Sequence, residues 1–358
     1  LGRLLEVTGG AQVLADTLIG RFGARRAPVA LGVAALLFGL PIFFDAGLVV
    51  FLPLILTVAR RFGGSLLWYA LPAAGAFGVT HALLPPHPGP VAATEALEGD
   101  IGVTLLVGVP VTVVAWYVGA LLLSRVLGAR IHVDLPTVLF GELRDGRGAG
   151  LDGRPPHFGT VLGLLLLPLV LISCDTVLDT LATGGAVDGD ATWVAFLRLL
   201  GSTPVALLLT VLVAVAVLGR PRASVAGVTR LVDEALAPVC SIILITGAGG
   251  MFGGVLELSG IGSALTASLS GLGMSLVVQA FVIAALLRVA QGSVTVATTT
   301  TSGLLALTVE KAQLGDVQVA LLVVAVAAGA TVLSHVNDSG FWLVSRFFGM
   351  DERTTLRT

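Results

Sequence analysis

Residues 66–94 read LLWYALPAAGAFGVTHALLPPHPGPVAAT and contain no Lys, Arg, Asp or Glu. A helix needs about 20 apolar residues to cross the hydrocarbon core of a bilayer, so this stretch is long enough to span a membrane. Its second half is interrupted by four prolines, which cannot continue a helix: Pro85, Pro86, Pro88 and Pro90. The stretch therefore predicts a membrane helix that is broken midway, with free backbone carbonyls at the break.

The composition of the whole chain is that of a polytopic membrane protein. Of its 358 residues, 56% are hydrophobic and only 12% are charged, against about 25% charged in soluble domains. This excludes a soluble globular enzyme and a disordered chain. A net charge of −2 gives no reason to expect a nucleic-acid partner. Hydrolase and nucleotide-binding motifs of the HExxH, P-loop and GxSxG types are absent from the sequence, so we expect no enzyme, no metal and no cofactor.

Basic residues predict how the chain crosses the membrane. Loop 125–158 and linker 220–234 are rich in arginine, and arginines flank segment 27–59 at both ends: Arg25, Arg26, Arg60 and Arg61. Because basic loops remain on the cytoplasmic side, segment 27–59 should enter and leave on the same side. It then forms two short spans or a re-entrant hairpin with its tip near Asp45. Further spans are expected at 101–123, 159–174, 195–218 and 236–256.

An internal repeat relates the two parts of the chain. The shift that places LEVTG at 5–9 on LELSG at 256–260 also places the proline break at 86–89 on NDSG at 337–340. Inverted repeats with paired broken helices are typical of secondary transporters. We therefore predict an all-α polytopic fold of two inverted repeats. Each has a re-entrant hairpin, at 27–59 and roughly 262–309, and a broken transmembrane helix.

The repeat also divides the chain into three parts. Residues 1–124 form the first repeat, residues 125–158 a cytoplasmic loop and residues 159–358 the second repeat. The second repeat has helices before its hairpin that the first lacks, and the first has a helix after its break that the second lacks. We therefore expect the first repeat's N-terminal helices and the second repeat's last helix to lie outside the sequence.

Charged side chains at membrane depth are the first candidates for function, because each costs roughly 3 kcal/mol or more to insert. Asp45 is the only charge in 27–59, where it has the most apolar surroundings, and Arg288 is the only charge in 258–309. The guanidinium of Arg288 suits a carboxylate; an ion pair with Asp45 or Asp338 is the structural alternative. Asp45, His87 and Asp338 are the candidates for a coupling proton. Capping is an equal alternative for His87, and His81 is expected to be a packed helix residue.

Neutral polar residues near the breaks and hairpin tips could bind the hydroxyls of a substrate. With Arg288 and His87, the candidates for substrate binding are Gln291, Ser293, Thr295, Asn337 and Ser339. Helix packing is the alternative for the hydroxyls of 293–301. Residues that end helices mark the breaks and tips themselves: Pro86, Gly89, Gly292 and Gly340.

Three motifs in these segments resemble the gluconate permease family of gluconate:proton symporters. They are LPPHPGP at 84–90, RVAQGSVTVA at 288–297 and VNDSGFWL at 336–343, and FFDAG at 43–47 is similar too. The resemblance extends along essentially the whole chain. It implies uptake of gluconate or a related sugar acid across the bacterial inner membrane. It also implies kinship with the ion-transporter superfamily of paired hairpins, whose members are usually homodimers.

The leading interpretation is a multi-pass secondary active transporter that couples sugar-acid uptake to protons. Its partners would be the sugar acid, the lipid bilayer and a second copy of the chain. A sodium-coupled carboxylate symporter shares the paired-hairpin plan and is one alternative. A passive channel is another, although a channel should lack inverted broken helices with buried titratable groups.

Overall fold

The computed structural model describes residues 1–136, 155–183, 187–189, 191–233 and 274–358, with residues 251, 255 and 259. Every regular element in these residues is a helix, and no β-strand occurs among them. Three described helical stretches are long and apolar enough to cross a membrane: Leu67–Ala96, Ile101–Arg130 and Phe158–Leu178. The prediction of an all-α polytopic membrane protein is therefore confirmed. The predicted span at 236–256 lies outside the described residues, apart from 251 and 255.

Four α-helices precede the helix that the prolines break: α1 (Gly2–Val7), α2 (Gly10–Phe22), α3 (Ala27–Gly39) and α4 (Phe44–Phe62). At 1.5 Å per residue α3 is only about 20 Å long, which is shorter than the hydrocarbon core. Arg25, just before α3, and Phe62, the last residue of α4, line the same cavity. The packed pair α3 and α4 therefore forms a helical hairpin whose two ends lie together.

The proline run breaks the next helix where the sequence predicts. Helix α5 (Leu67–Leu83) ends at the break, and α6 (Pro88–Ala96) begins directly after His87. Proline at the first position of α6 is favourable, because that residue needs no hydrogen-bond donor. The start of α5 is held by a backbone hydrogen bond from the Leu66 amide to the Val133 carbonyl, at 2.9 Å.

The following helices depart from the predicted spans. Helix α7 (Ile101–Trp116) continues through a π-turn at Tyr117–Leu122 into α8 (Leu123–Arg130). The first residues of the predicted loop 125–158 are thus helical, because Val126 and Leu127 prolong the apolar pattern. Helix α9 (Phe158–Thr183) is longer than expected.

The predicted span 195–218 is also not one straight helix. Helices α10 (Thr192–Gly201) and α11 (Thr203–Ala214) meet at Ser202 with a bend of 70°. Pro204 in the first turn of α11 explains the bend, since proline cannot donate the hydrogen bond that would continue α10. In the linker 220–234, residues 225–233 are helical.

A second set of helices ends the chain. It comprises α12 (Leu276–Gln291), α13 (Val294–Ala312), α14 (Asp316–Gly329), α15 (Ser339–Phe347) and α16 (Glu352–Arg357). Helices α12 and α13 pack together and meet at Gly292 and Ser293. The first part of the predicted hairpin, at 262–273, lies outside the described residues. A non-helical stretch separates α14 from α15, as the second predicted break requires.

The two sets exchange the short helices that follow their breaks. Ala93 of α6 and Leu97 just after it are buried in a core with Ala297 and Leu305 of α13, rather than in the core of the first hairpin. In return α15 packs against α4, and Phe348 just after it is fully buried in the first core. This exchange places each break beside the hairpin tip of the other set.

Candidate functional site

The first break is attached to the first hairpin tip through His87. Its Nε2 lies 2.8 Å from the carbonyl oxygen of Gly39, the last residue of α3. A carbonyl oxygen only accepts, so Nε2 donates this hydrogen bond. The carbonyls at a helix C-terminus have no partner within the helix, and His87 supplies one. The side chain is buried, and its ring packs 6.0 Å from that of Phe43. The Nε2 of His87 therefore caps the C-terminus of α3, which is the capping alternative for this residue.

The second break is attached to the second hairpin tip in the same way. The Asn337 Nδ2 donates to the Val289 carbonyl at 2.9 Å, and the His335 Nε2 lies 2.9 Å from that oxygen. Gly292, which ends α12, has a φ of +83°, and a Cβ there would overlap the carbonyl of Asn337. Only glycine fits this turn, because other residues are strained at positive φ and lack the space.

A buried ion pair joins Arg288 of α12 to Asp338 in the second break. The side chains of Arg288 and Asp338 are 2% and 17% exposed. Asp338 also accepts hydrogen bonds from the Ser334 hydroxyl and, at 2.9 Å, from the Gly340 amide. Asp338 therefore caps α15 and also neutralises Arg288. The ion pair with Asp338 is the structural alternative for Arg288 given above.

Arg288 nevertheless retains unused hydrogen-bonding capacity. Asp338 takes only its Nη2, whereas Nε and Nη1 are buried and have no hydrogen-bond partner in the described parts of the chain. Buried donors without a partner are rare in folded proteins and call for an explanation such as an absent ligand or water. The arrangement can accept a second anion beside Asp338.

Contacts between the two sets bring all four predicted segments together. A Cβ on Gly340 would lie 3.1 Å from the ring of Phe44, so the second break touches the first hairpin tip. A Cβ on Gly89 would lie 3.7 Å from the Thr295 Cα, so the first break touches the second tip. Pro86 lines the cavity described below.

Asp45 lies in the first turn of α4 and interacts electrostatically with Asp338. Its side chain is exposed on the described chain. The role of Asp45 in proton coupling therefore stays a prediction.

The neutral candidates fall into two groups. Ser293 and Asn337 are occupied by the fold: the Ser293 Oγ accepts from the Val296 amide at 3.3 Å, and Asn337 caps α12. Gln291 has a buried Oε1 without a partner, Thr295 is half-buried and Ser339 is exposed. Gln291, Thr295 and Ser339 are thus the candidates with free polar groups near Arg288.

His81, in α5, packs against the histidine of the first break. Its ring stands edge-on to that of His87, with centroids 4.9 Å apart, and lies 5.9 Å from that of Phe43. Its Nδ1 is buried and without a partner among the described residues, and the side chain interacts electrostatically with Asp338. The available signal was that both histidines lie in a stretch free of charged residues.

A cavity of about 250 Å³ adjoins the first break. It is lined by Pro41, Phe43, Pro86 and His87, and by mostly apolar residues of α9 and α11. It does not reach Arg288, so it gives access to the histidine pair rather than to the ion pair. In the ranges that the structure describes, no group of three or more His, Cys, Asp or Glu is placed to hold a metal ion.

Comparisons with known proteins agree with this architecture. The whole chain, residues 1–358, matches the GntP family permease model. It is 36% identical over 360 residues to the gluconate permease of Pseudomonas aeruginosa, covering all of this chain and 78% of that protein. It is 35% identical to the inner membrane permease YgbN and 34% identical to the Gnt-II system L-idonate transporter, both of Escherichia coli, covering 79% of each. These proteins are transporters and not enzymes, and this chain belongs to the GntP family of permeases.

Proposed function

We propose that this chain is a secondary active transporter that takes up gluconate or a related sugar acid together with protons across a bacterial inner membrane. The observation that carries the proposal is Arg288, which is buried in an ion pair with Asp338 while two of its donor nitrogens have no partner among the described residues. Relatives named for gluconate and L-idonate, both polyhydroxy carboxylates, support the substrate class. The relative named as an inner membrane permease supports the location.

The proposal includes an inverted repeat, which helix positions support. The shift that places Leu5 on Leu256 places the first residue of α6, Pro88, on the first residue of α15, Ser339. It likewise places α3 on α12 and α4 on α13. The two sets then share one plan of hairpin, helix, break and helix.

Helix directions support the inversion. The continuous helix α7–α8 runs from Ile101 to Arg130, and the directions of α5 and α14 can be compared with it. Helix α5 begins near its end, where Trp68 and Arg125 line one cavity, whereas α14 begins near its start, where Val319 lies beside Gly99. Equivalent helices therefore run in opposite directions, which is the arrangement that alternating access uses.

The sugar-acid carboxylate is proposed to bind the free Nε and Nη1 of Arg288. A guanidinium presents five donors in a fixed plane, so one face can hold Asp338 while another holds a substrate. Gln291, Thr295 and Ser339 supply neutral groups for the hydroxyls of the substrate. This division matches a ligand with one charge and several hydroxyls.

Asp338 and its neighbours are proposed to handle the proton. A carboxylate held by an arginine favours its charged form, and loss of the arginine favours protonation. If the substrate draws the guanidinium of Arg288 away from Asp338, Asp338 binds a proton. The proton and the substrate then enter the cell together. Asp45 faces Asp338 from the other set, and His87 and His81 connect the site to the cavity of about 250 Å³.

The two alternatives make different predictions for the same site. A sodium-coupled symporter needs a cluster of oxygen ligands, whereas Asp338 is paired with the cationic Arg288. A passive channel has no use for a buried arginine paired with a carboxylate.

A homodimer is proposed from the family resemblance.

Uptake of labelled gluconate into proteoliposomes containing the purified chain tests the proposal. We expect accumulation above the external concentration when the outside is more acidic than the inside, and none without a gradient. Accumulation driven by a sodium gradient at equal pH would assign the chain to the sodium-coupled class. Rapid equilibration without accumulation under either gradient would make it a channel.

A further inference from the structure

A second cavity, of about 480 Å³, lies at the other end of the first hairpin from the candidate site. The start of α3, the end of α4, the start of α5 and helix α8 surround it. Its lining residues are Arg25, Pro28, Phe62, Trp68, Tyr69 and Arg125. The length of α3, about 20 Å, separates it from Gly39 and the hairpin tip. The proposed transport mechanism makes no use of this cavity.

Two arginines without partners give the cavity its charge. Arg25 and Arg125 are exposed, and within the described ranges neither has a hydrogen-bond, ion-pair or ring partner. They are distant in sequence, so folding brings them to one cavity, and no acidic residue lines it. The cavity is therefore a site for an anion.

The aromatic wall of the cavity is fixed in place before any ligand binds. Trp68 is wedged between two glycines, since a Cβ on Gly64 or Gly128 would overlap its ring. The Tyr69 hydroxyl donates to the Gly63 carbonyl at 3.0 Å. A wall held this way loses little conformational freedom on binding.

We propose that this cavity binds the head group of an anionic phospholipid, with Arg25 and Arg125 on the phosphate and Trp68 and Phe62 against the glycerol and upper acyl chain. Position favours a lipid over a free anion, because the cavity lies at the ends of membrane-length helices, where Trp and Tyr mark the interface. Basic pockets between helices on the cytoplasmic side are suited to anionic head groups.

Neighbouring charges favour the same occupant. Arg26 and Arg61 are exposed beside the cavity and would draw an anionic leaflet towards it. A sugar acid is the competing anion, but it has no acyl chain to cover the exposed face of Trp68. The test therefore includes a sugar acid as one arm.

The test measures thermal unfolding of the purified chain in a neutral detergent. Dioctanoyl phosphatidylglycerol is titrated against dioctanoyl phosphatidylcholine, sodium phosphate and gluconate. We expect phosphatidylglycerol to raise the midpoint in a saturable manner at concentrations where the other three do not. Protection by phosphatidylcholine, or equal protection by phosphate or gluconate, would overturn the proposal.

Variants locate the effect in the cavity. Arg25→Gln with Arg125→Gln should weaken the apparent affinity for phosphatidylglycerol roughly 25-fold, about fivefold for each arginine. The control, Arg353→Gln with Arg357→Gln, removes the same charge from exposed positions outside the cavity lining and should bind like the parent. Equal loss in the control, or no loss in the cavity variant, would refute the site. The single variants Arg25→Gln and Arg125→Gln, each expected to lose about fivefold, decide the matter if the double variant does not fold.

Discussion

Replacement of Arg288 by lysine probes the two unpartnered donors directly. The ion pair with Asp338 uses only Nη2, and Nε and Nη1 are buried with no partner in the part of the chain that the structure describes. Lysine keeps a positive charge beside Asp338, so the variant avoids the 3–5 kcal/mol or so that a buried unpaired charge costs. It replaces a planar fork by a point charge that cannot serve Asp338 and a substrate carboxylate in the same geometry.

The expected loss follows from the number of hydrogen bonds removed. A hydrogen bond to a charged group contributes about 1.5–3 kcal/mol when it is made. If Arg288→Lys removes one such bond to the substrate, the affinity for gluconate falls between about 10-fold and 150-fold. Thermal stability should stay close to that of the parent, because the ion pair with Asp338 is retained.

The assay is the concentration dependence of labelled gluconate uptake at a fixed pH gradient. The matched control is Arg198→Lys, since Arg198 also pairs with a carboxylate, that of Asp175, at 3.4 Å, but is 40% exposed and belongs to α10, which is part of neither break and neither hairpin. Exposed pairs contribute about 0–1 kcal/mol, so this control should transport like the parent. Unchanged affinity in Arg288→Lys would show that Arg288 is structural and that the carboxylate is held elsewhere.

Three further predictions concern the proton path and the hairpin tip. Asp45→Asn should abolish proton-driven accumulation yet leave exchange of preloaded gluconate; accumulation at the parent's level would remove Asp45 from the coupling step. His81→Phe keeps a ring against Phe43 but removes the titratable group, so the initial rate of proton-driven uptake should fall while exchange persists, and an unchanged rate would make His81 a packing residue. Gly292→Ala should lower the free energy of unfolding by more than 3 kcal/mol or so, since strain at positive φ costs about 1–3 kcal/mol and the new Cβ overlaps Asn337. Gly9→Ala, at φ +77° in the same left-handed region and with no atom within 4 Å, is its control and should show the backbone strain alone in denaturant titrations.

The breaks and the first hairpin could be predicted because they depend on local chemistry. Proline cannot continue α5, whatever surrounds it, so 84–90 predicts the break that separates α5 from α6. Arginines at both ends of 27–59 predict a segment that returns to its starting side, and Arg25 and Phe62 do share a cavity. Such features can be predicted from residue type and spacing alone.

Partners across the fold could not be predicted in the same way. The sequence offers Arg288 both Asp45 and Asp338, and only packing of α12 against the second break decides for Asp338. In the sequence, Ser293 and Asn337 are polar groups without evident partners. In the structure, Ser293 accepts from an amide at the start of α13, and Asn337 donates to a carbonyl near the end of α12. His81 contacts His87 because the five residues between them cross a break, where helical periodicity no longer predicts the direction of a side chain.

The most direct test of the central claim records protons and substrate together. Proteoliposomes are loaded with a pH-sensitive dye, and labelled gluconate is added outside with no imposed gradient. The account predicts that the interior acidifies as gluconate enters, and that Asp338→Asn abolishes this acidification. Entry of gluconate at the parent's rate without any acidification of the interior would contradict it.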